Sequence, residues 1–374
     1  MVGGMTKIET DVLVAGGGPA GLSAAIAARQ QGLRVLVADL ARPPIDKACG
    51  EGLMPDSLRA LAALGVTLDG LDTGEFRGIR FVGPNDEVES RFPNGAGRGI
   101  RRTLLHQALI DRAEALGARL LWETRVEARS EGEITLNGKS VSFRWLIGAD
   151  GNESRIRRLA RLETGSAYER RIGLRRHFRM KPWTELVEIY WGEDCQAYVT
   201  PIAADQVCVA LISRERQSSF ESAIAQFPKL VARLAAGEVI TAVKGAVTVS
   251  RRFPAVTSRN VALIGEASGS ADAITGEGLA MCFRQAVALG SALAAADLSL
   301  YEREHRKIMR LPQFMGRSML LMDRSGWIRE RTLRALSGQP RIFDRMLSVH
   351  VGAVPVTAFG LDTAMNFGWQ LLTA

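Results

Sequence analysis

Apolar residues near the start of the chain gather in short unbroken runs. Residues 10–15 and 33–38 read as strands buried on both faces, and the alanine-rich stretch 19–31 between them reads as a helix. Strand, helix and strand in this order predict a βαβ unit on a parallel sheet. Pro55 to Leu64 predicts a helix with Gly65 at its end, and residues 75–92 alternate weakly, as a β excursion does. Thr103 to Gly117 predicts a helix with a glycine stop, and Ala118 to Thr124 a strand. Glu133–Leu136 and Ser140–Phe143 read as hairpin arms around Asn137-Gly138-Lys139, whose Asn-Gly pair favours a tight turn. Arg144 to Gly151 adds an apolar strand that ends on an acid and a glycine.

From about Arg171 to Val249 the pattern changes. Leu186–Trp191, Ala197–Pro201, Val207–Ile212 and Ala242–Val249 read as strands, with one helix over Ser219–Leu234. This predicts a mainly antiparallel domain inserted before the first is complete. Asn260–Gly265 then returns to the buried-strand pattern, and Leu279–Ala295 predicts a long apolar helix. Residues 301–349 predict further helices. Within them, Met309–Met322 suits a surface-seeking amphipathic helix or a lid, with ordinary helix packing the simpler reading.

The first helix opens on a glycine turn, Gly16-Gly-Gly18-Pro19-Ala20-Gly21. A strand before such a turn and a helix after it form the context of a dinucleotide-binding fingerprint. Gly16 permits the tight turn, Gly18 leaves room for a pyrophosphate, and Gly21 lets the helix pack closely on the sheet. Asp39 ends the next strand, where an acid accepts hydrogen bonds from the adenosine ribose.

Composition narrows the class. A chain of 374 residues can bury a large core in one to three domains. The formal charge is +8 and the pI about 9.7. Arginine clusters at 155–158, 170–171 and 175–176 come with no recognition helix or nucleic-acid motif. The charge reads as solubility and attraction for anionic ligands, so no nucleic-acid partner is expected. The four cysteines and four histidines show no metal-ligand spacing, and no metal site is expected. Met1 to Thr10 lacks the pattern of a signal peptide, and no apolar run reaches spanning length. A cytoplasmic protein is the expectation, with peripheral membrane contact left open.

Two later motifs follow the fingerprint in order. They are Gly148-Ala-Asp150-Gly151-Asn-Glu-Ser154-Arg-Ile-Arg157 and Gly265-Glu266-Ala-Ser-Gly269 with Thr275-Gly276-Glu277-Gly278-Leu279. Together the three resemble single-component FAD-dependent monooxygenases and the related geranylgeranyl-reductase-like flavoproteins, of para-hydroxybenzoate-hydroxylase-like fold. The resemblance covers about residues 9 to 300. It implies an α/β architecture: a glutathione-reductase-type FAD-binding Rossmann domain, an inserted antiparallel β substrate domain and C-terminal helices. On that plan, 8–74, 98–170 and 253–300 are three parts of the FAD domain. Residues 75–97 are an excursion toward the substrate domain at 171–252, and 301–374 form the helical end.

The resemblance also implies site residues. Asp39 would meet the ribose, Arg102 the FAD phosphate or ribose region, and Asp150 the second-motif contacts. The third motif ordinarily reads Gly-Asp. Here Gly265-Glu266 adds a methylene, so its contact must differ in spacing. Gly276 and Gly278 would bring a helix N-terminus to the flavin N1–C2 carbonyl side, with Leu279 following. Cys49 and Gly50, in the loop Cys49-Gly-Glu51-Gly-Leu53, would border the ring system. Packing or flavin contact is the simpler role for Cys49, because no adjacent base activates it. Substrate candidates are Glu51, His177, Tyr190, Tyr198 and Pro201; no catalytic residue is assigned.

The first expectation is a monooxygenase that uses NADH or NADPH and O2 on a small organic substrate. No second nucleotide fingerprint appears after residue 170, which fits transient nicotinamide binding. The rival is a flavin reductase of prenyl-type C=C bonds. A flavin-bound maturation or interaction protein working on a protein substrate or carrier is a third reading. A halogenase is disfavoured, since no Trp-x-Trp-x-Ile-Pro signature is present.

Overall fold

The computed structural model describes residues 8–130, 133–214, 219–360 and four positions beyond, 365, 367, 368 and 370. Most of the Met1–Thr10 start lies outside the described residues. The strands Val12–Ala15, Val35–Ala38, Trp145–Gly148, Val261–Leu263 and Arg119–Leu121 lie in a six-stranded sheet. Its order is Thr257–Ser258, Val261–Leu263, Trp145–Gly148, Val12–Ala15, Val35–Ala38, Arg119–Leu121. All neighbours are parallel except the first pair. The sheet interior is the unbroken apolar set read from sequence: Val12, Leu13, Val14, Leu146, Ile147 and Leu263 are buried.

Helix Pro19–Gln30 packs on helix Gly278–Ala294 through small residues. A Cβ on Gly290 would stand 3.0 Å from the Ala27 Cβ, so that face must stay small. A four-stranded sheet lies alongside, made of Ile8–Glu9, Lys139–Ser142, Glu133–Leu136 and Val126–Ser130. Its hairpin turns at Asn137 and Gly138, with φ of +47° and +80°, as the Asn-Gly pair predicts.

The second large sheet is mainly antiparallel. Ser166–Arg179 is a single strand of 14 residues that pairs with Gln206–Ser213 and with Lys244–Arg252. It crosses position 171, where the inserted domain was expected to begin. Cys195–Ala203 and Val187–Trp191 continue the sheet, and Gly78–Val82 joins Val187–Trp191 in parallel. The expected helix over 219–234 is two helices, Phe220–Ile224 and Pro228–Leu234. Pro228 lacks an N–H, so it starts a helix and cannot continue one.

Side chains alternate across this sheet. Ile189, Trp191, Tyr198 and Ile212 join a cluster with the C-terminal helices. Tyr190, Val199 and Leu211 join the opposite cluster, against the two short helices. The C-terminal region begins with one helix of 27 residues, Leu298–Arg324, with Pro312 inside it. Helices Gly326–Gly338 and Pro340–His350 follow.

Candidate functional site

The three glycine motifs meet at one edge of the parallel sheet. Strands Val12–Ala15, Trp145–Gly148 and Val261–Leu263 are neighbours, so their C-terminal ends lie side by side. Gly16 has φ of +112°, and a Cβ there would stand 2.3 Å from the Ala149 carbonyl oxygen. A Cβ on Gly21 would stand 1.8 Å from the Gly16 oxygen. A Cβ on Gly265 would meet the Ala20 Cβ at 2.6 Å, which joins the third motif to the first. Gly18, Gly50, Gly276 and Gly278 have open space beside them instead. Pro19 is the first helical residue, its fixed φ suited to that position.

Asp39 accepts from the Gly17 N–H at 2.6 Å and from the Ala41 N–H at 2.7 Å. These bonds hold the carboxylate beside the glycine turn. His106 supports the turn from below. Its Nε2–H donates to the Gly17 carbonyl at 2.8 Å, and its Nδ1 accepts from the Ile45 N–H at 3.3 Å. Burial pushes its pKa below the usual histidine value, so the ring stays neutral in this structural role.

Asp150 caps the helix Arg155–Leu159. It accepts from the Ser154 hydroxyl, and from the Arg155 and Ile156 N–H groups at 2.7 and 3.2 Å. Arg157 is buried, not part of a solvated basic cluster. It donates to the Ala267 carbonyl at 3.1 Å and pairs with Glu163 at 2.9 Å, tying the second motif to the third. Gly265 donates its N–H to Gln285 at 2.8 Å. Glu266, one methylene longer than the family's usual acid, pairs with Lys47 at 2.7 Å. Gly278 starts the long apolar helix, with half-buried Leu279 next.

The loop after Asp39 bends back to a second polar group. Glu51 is buried with φ of +59°, a conformation that a non-glycine residue rarely adopts. Its Oε1 accepts from the Arg102 N–H at 2.9 Å and from Arg175 Nη1 at 3.1 Å. Its Oε2 lies 2.7 Å from His177 Nε2. His177 Nε2–H donates to Glu51, and Nδ1 accepts from the Thr241 hydroxyl at 3.1 Å. Arg175 also pairs with Asp46 at 2.8 Å. Burial works against the Arg175 charge, but Glu51 and Asp46 outweigh it and hold its pKa above the usual arginine value. Half-buried Cys49 accepts from the Glu51 N–H at 3.3 Å, and its carbonyl lies 3.6 Å from Cys208 Sγ.

Among the described residues, Glu51, His177 and Cys208 hold their ligand atoms within 4.8 Å of one another. Sequence spacing gave no sign of this, because the three come from separate elements. The Arg175 guanidinium lies 3.1 Å from both Glu51 and His177, where it competes with a metal cation. Burial also keeps the Cys208 thiol protonated, with Glu51 raising its pKa further. The donor set suits a hydrogen-bonded ionic cluster.

The sheet candidates fall on different faces. Tyr198 is buried among the C-terminal helices, and its hydroxyl donates to the Ile274 carbonyl at 2.7 Å. Tyr190 lies on the other face, where its hydroxyl donates to Glu188 at 2.7 Å and burial raises its pKa. The Pro201 carbonyl oxygen stands 1.8 Å from the Cβ position of Gly99, packed against the small sheet of Gly52–Leu53, Gly97–Gly99 and Gly74–Phe76.

Sequence reasoning missed a second buried network. Arg171 is 1% exposed and pairs with Asp323, and with Asp272 at 3.5 Å. Asp272 accepts from the Ile274 N–H at 3.0 Å and from the Ser250 hydroxyl at 2.8 Å. The turn before Gly276 is thereby fastened to the long C-terminal helix. Arg171, Arg175 and His177 share one face of their strand, a period-two signal legible only once 166–179 is recognised as a strand.

The converging glycine turns, the helix N-terminus and the acid held beside them define a nucleotide-binding fold, and the open glycines fit a long dinucleotide. The family model described as "FAD binding domain" matches residues 9–298, and the chain belongs to that family. It is a flavoprotein of the FAD-dependent monooxygenase fold. A digeranylgeranylglycerophospholipid reductase of Thermoplasma volcanium is 27% identical over 88% of this chain and 89% of that one. A menaquinone reductase of Mycobacterium tuberculosis is 37% identical over 161 residues, and the chain spans only 40% of that relative's length. The solved structure of 2-methyl-3-hydroxypyridine-5-carboxylic acid oxygenase matches with a TM-score of 0.72 and 21% identity, over 86% of this chain and 93% of that one.

Proposed function

We propose that the chain is an FAD-dependent oxidoreductase that saturates C=C bonds of a prenyl-type lipid, with electrons from NADH or NADPH. One observation carries this choice over the expected oxygenation. The two loops that the family resemblance puts beside the flavin ring both abut a single apolar cluster. Met54 follows the Cys49 loop and Ile274 precedes Gly276; both belong to that cluster, with Phe76, Trp191, Tyr198 and Met319. Its tyrosine hydroxyl is already committed to the Ile274 carbonyl, which leaves the Trp191 indole N–H as a buried polar group of the cluster without a partner. A hydroxylated aromatic substrate needs buried polar partners, whereas a hydrocarbon chain gains about 25 cal/mol per Å2 from apolar burial alone. Methionines at 54, 319 and 322 suit a wall that adapts to a flexible chain. The names of the two reductase relatives support the same substrate class.

FAD, when bound, supplies the redox chemistry. The chain's own residues do the rest. The Gly18 turn and the helix start at Pro19 would hold the diphosphate, Asp39 the ribose, and the helix opening at Gly278 the flavin's pyrimidine side. Arg102 would add positive charge near the phosphate or ribose. Glu51, His177 and Arg175 hold the Cys49 loop in place.

A second reading is monooxygenation of a small organic substrate with O2. The buried Glu51–His177 pair favours it, since such a pair could take a proton from a phenol-type hydroxyl. One experiment separates the two. The purified flavoprotein is reduced anaerobically with NADH or NADPH and given a prenylated quinone or geranylgeranyl lipid. Mass spectrometry should find product with added hydrogen and no added oxygen. Oxygen incorporation under air, with no anaerobic saturation, would sink the reductase reading; absence of bound FAD would sink both.

A further inference from the structure

We propose that the buried carboxyl group of Glu277 is a redox-linked proton site: it takes a proton from solvent when bound FAD is reduced and returns it when FAD is oxidised. The observation behind this is a group of buried polar atoms that the fold leaves without hydrogen-bond partners. Glu277 is 1% exposed and Asp56 6%, and neither carboxyl oxygen of either residue has such a partner. Arg284 Nε and Nη2 and His350 Nδ1 are buried and lack one too. Asp56 comes from the helix Pro55–Ala63, Arg284 from Gly278–Ala294 and His350 from the end of Pro340–His350. Arg284 Nη2 stands 3.8 Å from Glu277 Oε1, and His350 Nδ1 stands 3.7 Å from Oε2. These distances give attraction without a hydrogen bond. Native folds leave few buried polar groups unsatisfied, and a set of them in one place calls for a role.

Position suggests the role. Glu277 is the N-cap residue of Gly278–Ala294, yet its side chain makes no capping bond. The first N–H groups of that helix therefore keep their partial positive charge, and Gly276 and Gly278 have open space beside them. This is the helix start that the proposed function sets at the flavin's pyrimidine side, and the inference rests on that placement. Reduction develops negative charge there. A neutral Glu277 leaves the helix end free to meet that charge, whereas an ionised Glu277 opposes it.

The coupling has a definite sign. Burial raises the Glu277 pKa above the usual glutamate value; His350 and Arg284 pull it down, and Asp56 pushes it further up. Exposed Arg59, one turn beyond Asp56, is committed to the Val351 carbonyl. Negative charge at the helix start makes Glu277 hold its proton to a higher pH. Between the pH of release with FAD oxidised and the higher pH of release with FAD reduced, reduction brings one proton to Glu277. By reciprocity, losing that proton makes reduction harder as pH rises. NADH or NADPH supplies the two electrons, and solvent supplies the proton. Arg284, whose side chain is 31% exposed, links the buried group to the surface.

The test is the midpoint potential of the FAD-loaded full chain from about pH 4 to about pH 9, for wild type and Glu277→Gln. Within the window where Glu277 titrates, each tenfold fall in proton concentration should lower the wild-type potential by about 30 mV more than that of the variant. That difference is one additional proton per two electrons. Glutamine keeps the size and burial of the side chain, so a merely structural role gives parallel curves. Parallel curves on a variant that holds FAD would overturn the proposal alone. A wild type that holds no FAD would sink the cofactor reading and the proposal together. Asp56→Asn removes a neighbouring negative charge, so the steep window should move to lower pH. A window that stays in place or moves up in that variant would also overturn the proposal.

Discussion

Removing Asp323 should unfasten the C-terminal helix from the turn before Gly276 at a cost that can be estimated. Arg171 and Asp323 are both fully buried and meet as an ion pair rather than as an aligned hydrogen bond. Asp272 stands 3.5 Å from the same guanidinium, and Arg214 Nε lies 3.2 Å from Asp323. At 3.5 Å and an effective dielectric of about 20, one such pair is worth about 5 kcal/mol of Coulomb energy. Desolvation of the ions offsets most of that gain, so the intact network adds little net stability. Breaking it is different. Asp323→Ala leaves Arg171 buried with Asp272 as its remaining acid, a change that costs about 3–5 kcal/mol. Urea unfolding of wild type and variant measures the difference, with the m-value checked for constancy. Glu304→Ala is the control, because the Lys307–Glu304 pair is 72% and 49% exposed. It should cost at most about 1 kcal/mol. Asp272 also caps the turn before Gly276, so the Asp323 variant should release FAD more readily. A loss below about 1 kcal/mol for Asp323→Ala would refute the claim that Arg171 depends on it.

Gly21→Ala should abolish FAD retention, because its Cβ position lies 1.8 Å from the Gly16 backbone oxygen; a variant that purifies with a full flavin spectrum would contradict this. His305 sits in a buried bond 3.0 Å from the Ser268 hydroxyl, and burial lowers its pKa to about 4 from 6.5. Its neutral form therefore stabilises the fold above pH 6.5, and about 3 kcal/mol is lost as pH falls toward 4. His305→Gln should flatten that part of the stability–pH curve, and an unchanged curve would count against it. Glu277 is the opposite case. Burial raises its pKa, with His350 and Arg284 too far away, at 3.7 and 3.8 Å, to cancel the effect. The fold is favoured while Glu277 is protonated and loses that advantage as pH rises through the raised pKa. Glu277→Gln should raise the melting temperature at pH 8 and do nothing at pH 4; a lower value at pH 8 would reject this.

The nucleotide half of the fold was legible because its signals are local. Gly16, Gly18 and Gly21 lie within six positions, and the strands on either side are apolar on both faces. The polar networks were illegible because their partners are distant. Glu51 and His177 are 126 positions apart, and Arg175 and Asp46 are 129. The strand Ser166–Arg179 hid them in a further way. Its side with Ile172 and Leu174 is half-exposed, while the side with Arg171, Arg175 and His177 is buried. The ordinary rule that the polar face meets water assigns such a strand backwards. Loops supply the compensating carboxylates, Asp46 and Glu51 from one and Asp272 from another, with Asp323 from the long helix. A buried arginine face needs that many acids around it, and those acids fall in the Cys49 loop, the turn before Gly276 and the helix that covers it. The charges that were hardest to read in the sequence therefore fix the position of the loops expected to border the flavin ring. Substituting these charges should perturb the flavin environment before it perturbs the glycine turn at Gly16–Gly21.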